Sequence, residues 1–103
     1  MTIHDLEPQI VWHYFHEITQ IPRPSKHEEK ILAYIVDFAK KHNLEYKQDS
    51  VGNTIIYKDA TPGKENVPMI ALQAHVDMVC EKNADKVHDF MNDPIETVED
   101  GEW

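Results

Sequence analysis

The stretch Pro68-Met69-Ile70-Ala71-Leu72-Gln73-Ala74-His75-Val76-Asp77-Met78 decides how the fold is read. Its apolar run is broken only by Gln73 and leads straight into a His-x-Asp. A short continuous apolar run of this kind suits a strand buried on both faces, and periodicity alone leaves a buried helix open as well. In a strand, residues two apart point to the same side. The spacing therefore predicts His75 and Asp77 projecting together from the rim of a sheet, with Val76 turned into the core. Ligands in open α/β sheets gather at such carboxyl ends. An imidazole beside a carboxylate there can act as a metal ligand with its orienting partner. The same two residue types also serve simply to hydrogen-bond loop backbone after a strand.

Working outward on the N-terminal side, Ala60 to Asn66 is a polar loop with Pro62-Gly63. Before it, Leu44 to Gln48 alternates as a half-exposed strand, and Thr54 to Lys58 returns as a β-branched one. Ser50-Val51-Gly52-Asn53 lies between them as the turn of a hairpin. Further back, Ile31, Leu32, Ile35, Phe38 and Ala39 form one apolar helix face, opposite Glu29, Lys30, Asp37, Lys40 and Lys41. Lys40, Lys41 and His42 suit the negative end of that helix, and Asn43 suits a left-handed terminator. Ser25-Lys26-His27-Glu28 reads as a capping box in front of it, with Ser25 as N-cap. His27 then falls in a solvent-facing first turn.

Ile21-Pro22-Arg23-Pro24 forbids helix and predicts an extended connector. Ahead of it, Pro8 suits the first helical position, and Val11, Phe15 and Ile18, broadened by Trp12 and Tyr14, predict a helix to about Thr19. His13 and His16 lie one turn apart on this helix. With no third ligand of suitable spacing, they read as a solvated or core-edge pair.

Downstream of the His-x-Asp, Val79 to Pro94 reads as irregular, followed by a short strand over Ile95-Glu96-Thr97-Val98. Cys80, the single cysteine, has no internal disulfide partner and reads as an inert, partly buried thiol. His88-Asp89 repeats the His–carboxylate theme. Asp93, Glu96, Glu99 and Asp100 lack the alternation and central glycine of a calcium loop and read as solvated surface.

The 103 residues allow at most one domain with a modest core. Hydrophobic content of 41% and charged content of 28% are those of a globular chain. A net charge of -9 opposes binding to nucleic acid or to an anionic membrane. No apolar stretch approaches the roughly 18 residues needed to cross a bilayer. Met1-Thr2-Ile3-His4-Asp5 has neither the basic nor the apolar region of a secretory signal, so a cytoplasmic location is expected.

Several separated stretches carry a resemblance. Leu72 to Val79, Glu81-Lys82-Asn83, His88-Asp89-Phe90, Asp93-Pro94-Ile95 and Asp100-Gly101-Glu102-Trp103 closely resemble the aminoacyl-histidine dipeptidases, the bacterial carnosinases. These belong to the zinc metallopeptidases that also include aminoacylases and glutamate carboxypeptidases. The likeness continues through Ile21 to Glu29 and Asp49 to Asn53, so it covers nearly the whole chain.

The resemblance implies that residues 1–103 are the N-terminal portion of a metallopeptidase catalytic domain, the remainder and a lid domain lying beyond Trp103. Together with the element order it implies an α/β fold, two helices and then a mixed sheet whose buried strand ends in His-x-Asp. It implies His75 as a zinc ligand and Asp77 as the carboxylate that orients its imidazole, and places Gly52-Asn53 beside the catalytic cleft. Two zinc ions would serve the complete enzyme, with manganese or cobalt as alternatives. The implied activity is hydrolysis of small peptides, aminoacyl-histidine dipeptides above all, by a zinc-activated water. This chain alone is expected to be inactive, because a catalytic zinc takes three protein ligands. A homodimer of the complete protein is a further implication. The alternatives are a related zinc deacylase or carboxypeptidase, or a non-catalytic α/β binding module if the natural chain ends at Trp103.

Overall fold

The computed structural model describes residues 2–101. The chain runs through a 3₁₀ turn (Ile3–Asp5), helix α1 (Gln9–Thr19), helix α2 (Glu29–Lys41) and strands β1 (Glu45–Gln48) and β2 (Thr54–Tyr57). This is an α/β chain, with two helices and a small antiparallel sheet. It divides into two compact units, one formed by residues up to Ile31 together with those from Asp77 onward, the other by Leu32–Val76.

In the first unit Pro8 is the N-cap of α1, one residue outside the helix. The expected apolar stripe is only partly covered: Trp12, Tyr14 and Ile18 are half-buried, whereas Val11 and Phe15 are exposed. Trp12 stacks edge-on against Phe15 with centroids 5.7 Å apart, and its indole N–H donates to the Glu7 carbonyl at 3.3 Å. The 3₁₀ turn lies against α1, where the His4 and His16 rings meet edge-on at 4.5 Å. His13 pairs with Glu17 at 3.1 Å, so the two helix histidines have different neighbours. Thr19, Pro24 and Ile31 are the buried residues here.

In the second unit α2 ends as its sequence predicts. Asn43 adopts φ 57, Leu44 N–H donates to Ala39 at 2.8 Å, and Asn43 N–H donates to Lys40 at 3.2 Å. These are the paired bonds of a Schellman ending, which satisfy carbonyls the helix leaves open. The hairpin pairs Glu45 with Tyr57, Tyr46 with Ile56, Lys47 with Ile55 and Gln48 with Thr54. Tyr46 and Ile56, opposite each other, are the half-buried pair, while Ile55 faces out. At the turn, Asp49 collects N–H groups from Val51, Asn53 and the Asn53 amide at 2.8–3.0 Å. Gly52, at φ +98, lies so close to Leu32 that a Cβ would meet its Cδ1 at 2.8 Å.

Three expectations need correction. The mixed sheet is, among the described residues, a single antiparallel pair. The apolar run 68–74 is not a buried strand: it carries no ladder, and Met69, Ile70 and Leu72 are 91, 82 and 95% exposed. A strand buried on both faces needs hydrogen-bonded neighbours along its edges and layers over its faces. The described residues give this segment neither, so its hydrophobicity is unsatisfied. The short strand at 95–98 is also absent. Ile95 N–H instead makes a single bond to the Thr19 carbonyl at 2.9 Å.

Candidate functional site

The connector Ile21–Pro24 is extended, as its prolines dictate, and this conformation lets it pair. Arg23 C=O accepts from Met78 N–H at 2.9 Å, and Ser25 N–H donates to Met78 C=O at 3.2 Å. The result is an isolated parallel bridge between Pro24 and Met78. Proline donates no backbone N–H, so Pro24 loses nothing by sitting at the bridge, with its neighbours making both bonds. Arg23 is half-buried and donates from Nη1 to the Ile18 carbonyl; burial draws its guanidinium below its usual value.

Immediately after the bridge the chain turns over Pro24–His27, closed by His27 N–H to Pro24 C=O at 2.9 Å. Lys26 occupies the left-handed region at φ 70. Its N–H donates to Glu28 Oε1 at 2.8 Å. The expected capping box is therefore not what forms: α2 begins at Glu29, and the Ser25 hydroxyl is directed elsewhere. Ser25 Oγ donates to Asp77 Oδ2 at 2.5 Å, across 52 residues of sequence.

Asp77 is thus half-buried and gripped by Ser25. Val76 is half-buried and His75 is exposed. The division between the two units falls between Val76 and Asp77, so the pair that the sequence places side by side is shared between them. Among the described residues no group of three or more His, Cys, Asp or Glu is arranged to hold a metal ion.

A cleft of ≈ 650 Å³ opens in the first unit, lined by Arg23, Pro24, Met78, Cys80, His88 and Ile95 among others. Cys80 is exposed rather than partly buried, because no buried strand leads into it. His88 lies edge-on to Phe90 at 5.1 Å. Asp89 closes the next turn, accepting from Met91 N–H at 2.9 Å and from the Asn92 amide at 2.8 Å. These bonds, that of Asn92 foremost, hold its carboxyl below the usual carboxylate range. Asp89 thus holds a turn together, while His88 lines the cleft. Asp93, Glu96, Glu99 and Asp100 are exposed, although Asp93 also accepts from Asp89 N–H at 2.8 Å.

Ser25 is the residue that sequence reasoning misplaced. Its Ser-x-x-Glu context fits a helix cap so well that nothing local points to a carboxylate 52 positions away.

No family model matches the chain. It is 51% identical over 98 residues to the cytosol non-specific dipeptidase of Escherichia coli (strain K12), a match that covers 95% of this chain and 20% of that protein. It superposes with a TM-score of 0.94 and 48% identity on the crystal structure of aminoacylhistidine dipeptidase from Vibrio alginolyticus, over 100% of this chain and 21% of that one. The chain spans about a fifth of the length of the relatives it matches. By sequence and by fold it is homologous to the N-terminal part of these dipeptidases.

Proposed function

We propose that the chain forms the N-terminal portion of a dipeptidase catalytic domain and contributes to the metal-dependent hydrolysis of small peptides. Aminoacyl-histidine dipeptides are the favoured substrates. The observation that carries this reading is the 0.94 TM-score at 48% identity to an aminoacylhistidine dipeptidase. On this reading His75 is a zinc ligand and Asp77 the carboxylate that orients its ring and raises its basicity. The name of the Escherichia coli relative supports a cytosolic site of action. No helix among the described residues is long and apolar enough to cross a membrane.

The groups on this chain fit zinc in kind, an exposed imidazole as ligand and a carboxylate to orient it. They do not complete a site in number, since three protein ligands are the norm for a catalytic zinc. The remaining ligands, the general base and the second metal position are assigned to the part of the relatives' length that this chain does not span. Bound zinc polarises a peptide carbonyl and lowers the pKa of its water toward about 7. The contribution of this chain is to present one imidazole in a fixed ring orientation. Cobalt or manganese would suit the same donors, and a homodimer is the proposed assembly of the complete protein.

Hydrolysis of β-alanyl-histidine by the full-length gene product, with and without chelator, tests the reading. Activity that chelation abolishes and zinc restores supports it. Full activity after exhaustive chelation, or none on any dipeptide, overturns it. A Gly-Ala-Asp-Asn-Gly-like segment encoded downstream would add support at little effort.

A further inference from the structure

Ser25 occupies a position that the dipeptidase reading leaves without a role. We propose that it is a positioning residue, its hydroxyl fixing the Asp77 carboxylate in the rotamer from which Asp77 orients the His75 ring. This rests on the functional reading above.

The hydroxyl has one proton and two acceptors within reach, Asp77 Oδ2 at 2.5 Å and Met78 O at 3.5 Å. The shorter, charge-assisted bond takes it. Backbone bonds on either side of Pro24, from Met78 N–H to Arg23 at 2.9 Å and from Ser25 N–H to Met78 at 3.2 Å, lock this part of the connector against Met78. The bridge thus sets Ser25 and Asp77 diagonally across the Pro24–Met78 pair, each one residue from it, independently of either side chain. The Ser25 hydroxyl holds one Asp77 oxygen there, and a strong hydrogen bond of this kind favours one side-chain rotamer over the others.

The local conformation points the same way. A serine whose task was to cap α2 would accept, through its side-chain oxygen, from the helix's first N–H groups. Here α2 starts four residues later, at Glu29, and Glu28 serves Lys26 N–H. The turn that aims Ser25 also keeps a lysine at φ 70, a conformation costly for a residue with a Cβ. Pro22 and Pro24 hold φ near the extended value the bridge needs. Three features that cost local freedom thus converge on one hydroxyl–carboxylate contact.

The test uses the full-length gene product and the variants Ser25→Ala, Ser25→Thr, Asp77→Ala and Ser25→Ala/Asp77→Ala, with His75→Ala as the reference. Three quantities are measured: the zinc dissociation constant by chelator competition, kcat and KM separately, and the thermal midpoint. The expected result is that Ser25→Ala weakens zinc and lowers kcat by roughly 10-fold, the lower end of the range for partners that orient a ligand. KM should move little, Ser25→Thr should restore both, and Ser25→Ala should add nothing once Asp77 is truncated. A Ser25→Ala protein that melts earlier but keeps zinc affinity and kcat overturns the proposal, as does an effect of equal size in the Asp77→Ala background. If His75→Ala also leaves zinc affinity and kcat intact, the dipeptidase reading falls with it. If His75→Ala is impaired and Ser25→Ala is not, only the role of Ser25 falls.

Discussion

Replacing Gly52 with alanine should loosen the hairpin, and the structure sets the size of the effect. The backbone there has φ +98, and holding an L-residue in left-handed conformation costs about 1–2 kcal/mol. The new methyl would stand 2.8 Å from Leu32 Cδ1. Relieving that contact means pushing a leucine off its rotamer, a further 0.5–1.5 kcal/mol or so. Against these, alanine restricts the unfolded chain and returns about 0.4–1 kcal/mol. The net loss is roughly 0.5–3 kcal/mol, which at roughly 4–8 °C per kcal/mol in a domain of this size is a measurable fall in melting temperature. Hydrogen exchange at the β1–β2 amides localises it. In a Leu32→Ala background the contact is gone, so Gly52→Ala should cost about 1 kcal/mol less there. A neutral or stabilising Gly52→Ala would refute the backbone reasoning, and an equal cost in both backgrounds would refute the part assigned to Leu32.

Two further outcomes follow from the same geometry. Hydrogen bonds from Asn53, its side-chain amide foremost, hold the Asp49 carboxyl below its ordinary value of 3.8. A carboxyl depressed in the folded state contributes stability above its unfolded value and loses it as pH falls through the folded one. Protection of the Asn53 and Val51 amides should therefore fall below about pH 4, and Asp49→Asn should flatten that dependence. Lys26→Gly should stabilise the Pro24–His27 turn by roughly 0.5–1 kcal/mol, since glycine accepts φ 70 without strain; denaturant unfolding that shows a loss would contradict the strain at this position.

What was legible in the sequence was local. The Asn43 ending of α2, the 3.6-residue period of both helices and the polar turn between two alternating runs are set by neighbours within a few positions. The C-terminal ends of both helices and both strands lie within a residue of their expected places, whereas α2 begins three residues beyond its expected start. The run 68–74 was misread because an apolar segment records that it is to be covered, but not by what. No layer covers it among the described residues, and so Leu72 stands 95% exposed. Ser25 was missed for the opposite reason. A strong local pattern, Ser-x-x-Glu before an amphipathic helix, offered a complete explanation, while its actual partner Asp77 lies 52 residues away. The stripe on α1 failed in part because periodicity marks a face without saying how much of it is used: Ile18 is half-buried and Phe15 is not.

The most direct measurement of the central claim is the zinc dissociation constant of the full-length gene product, by competition against a chelator, with His75 intact and with His75→Ala. A ligand contributed by this chain predicts weakening by at least roughly 10–100-fold. Equal affinity in the two proteins would contradict it and remove His75 from the metal site.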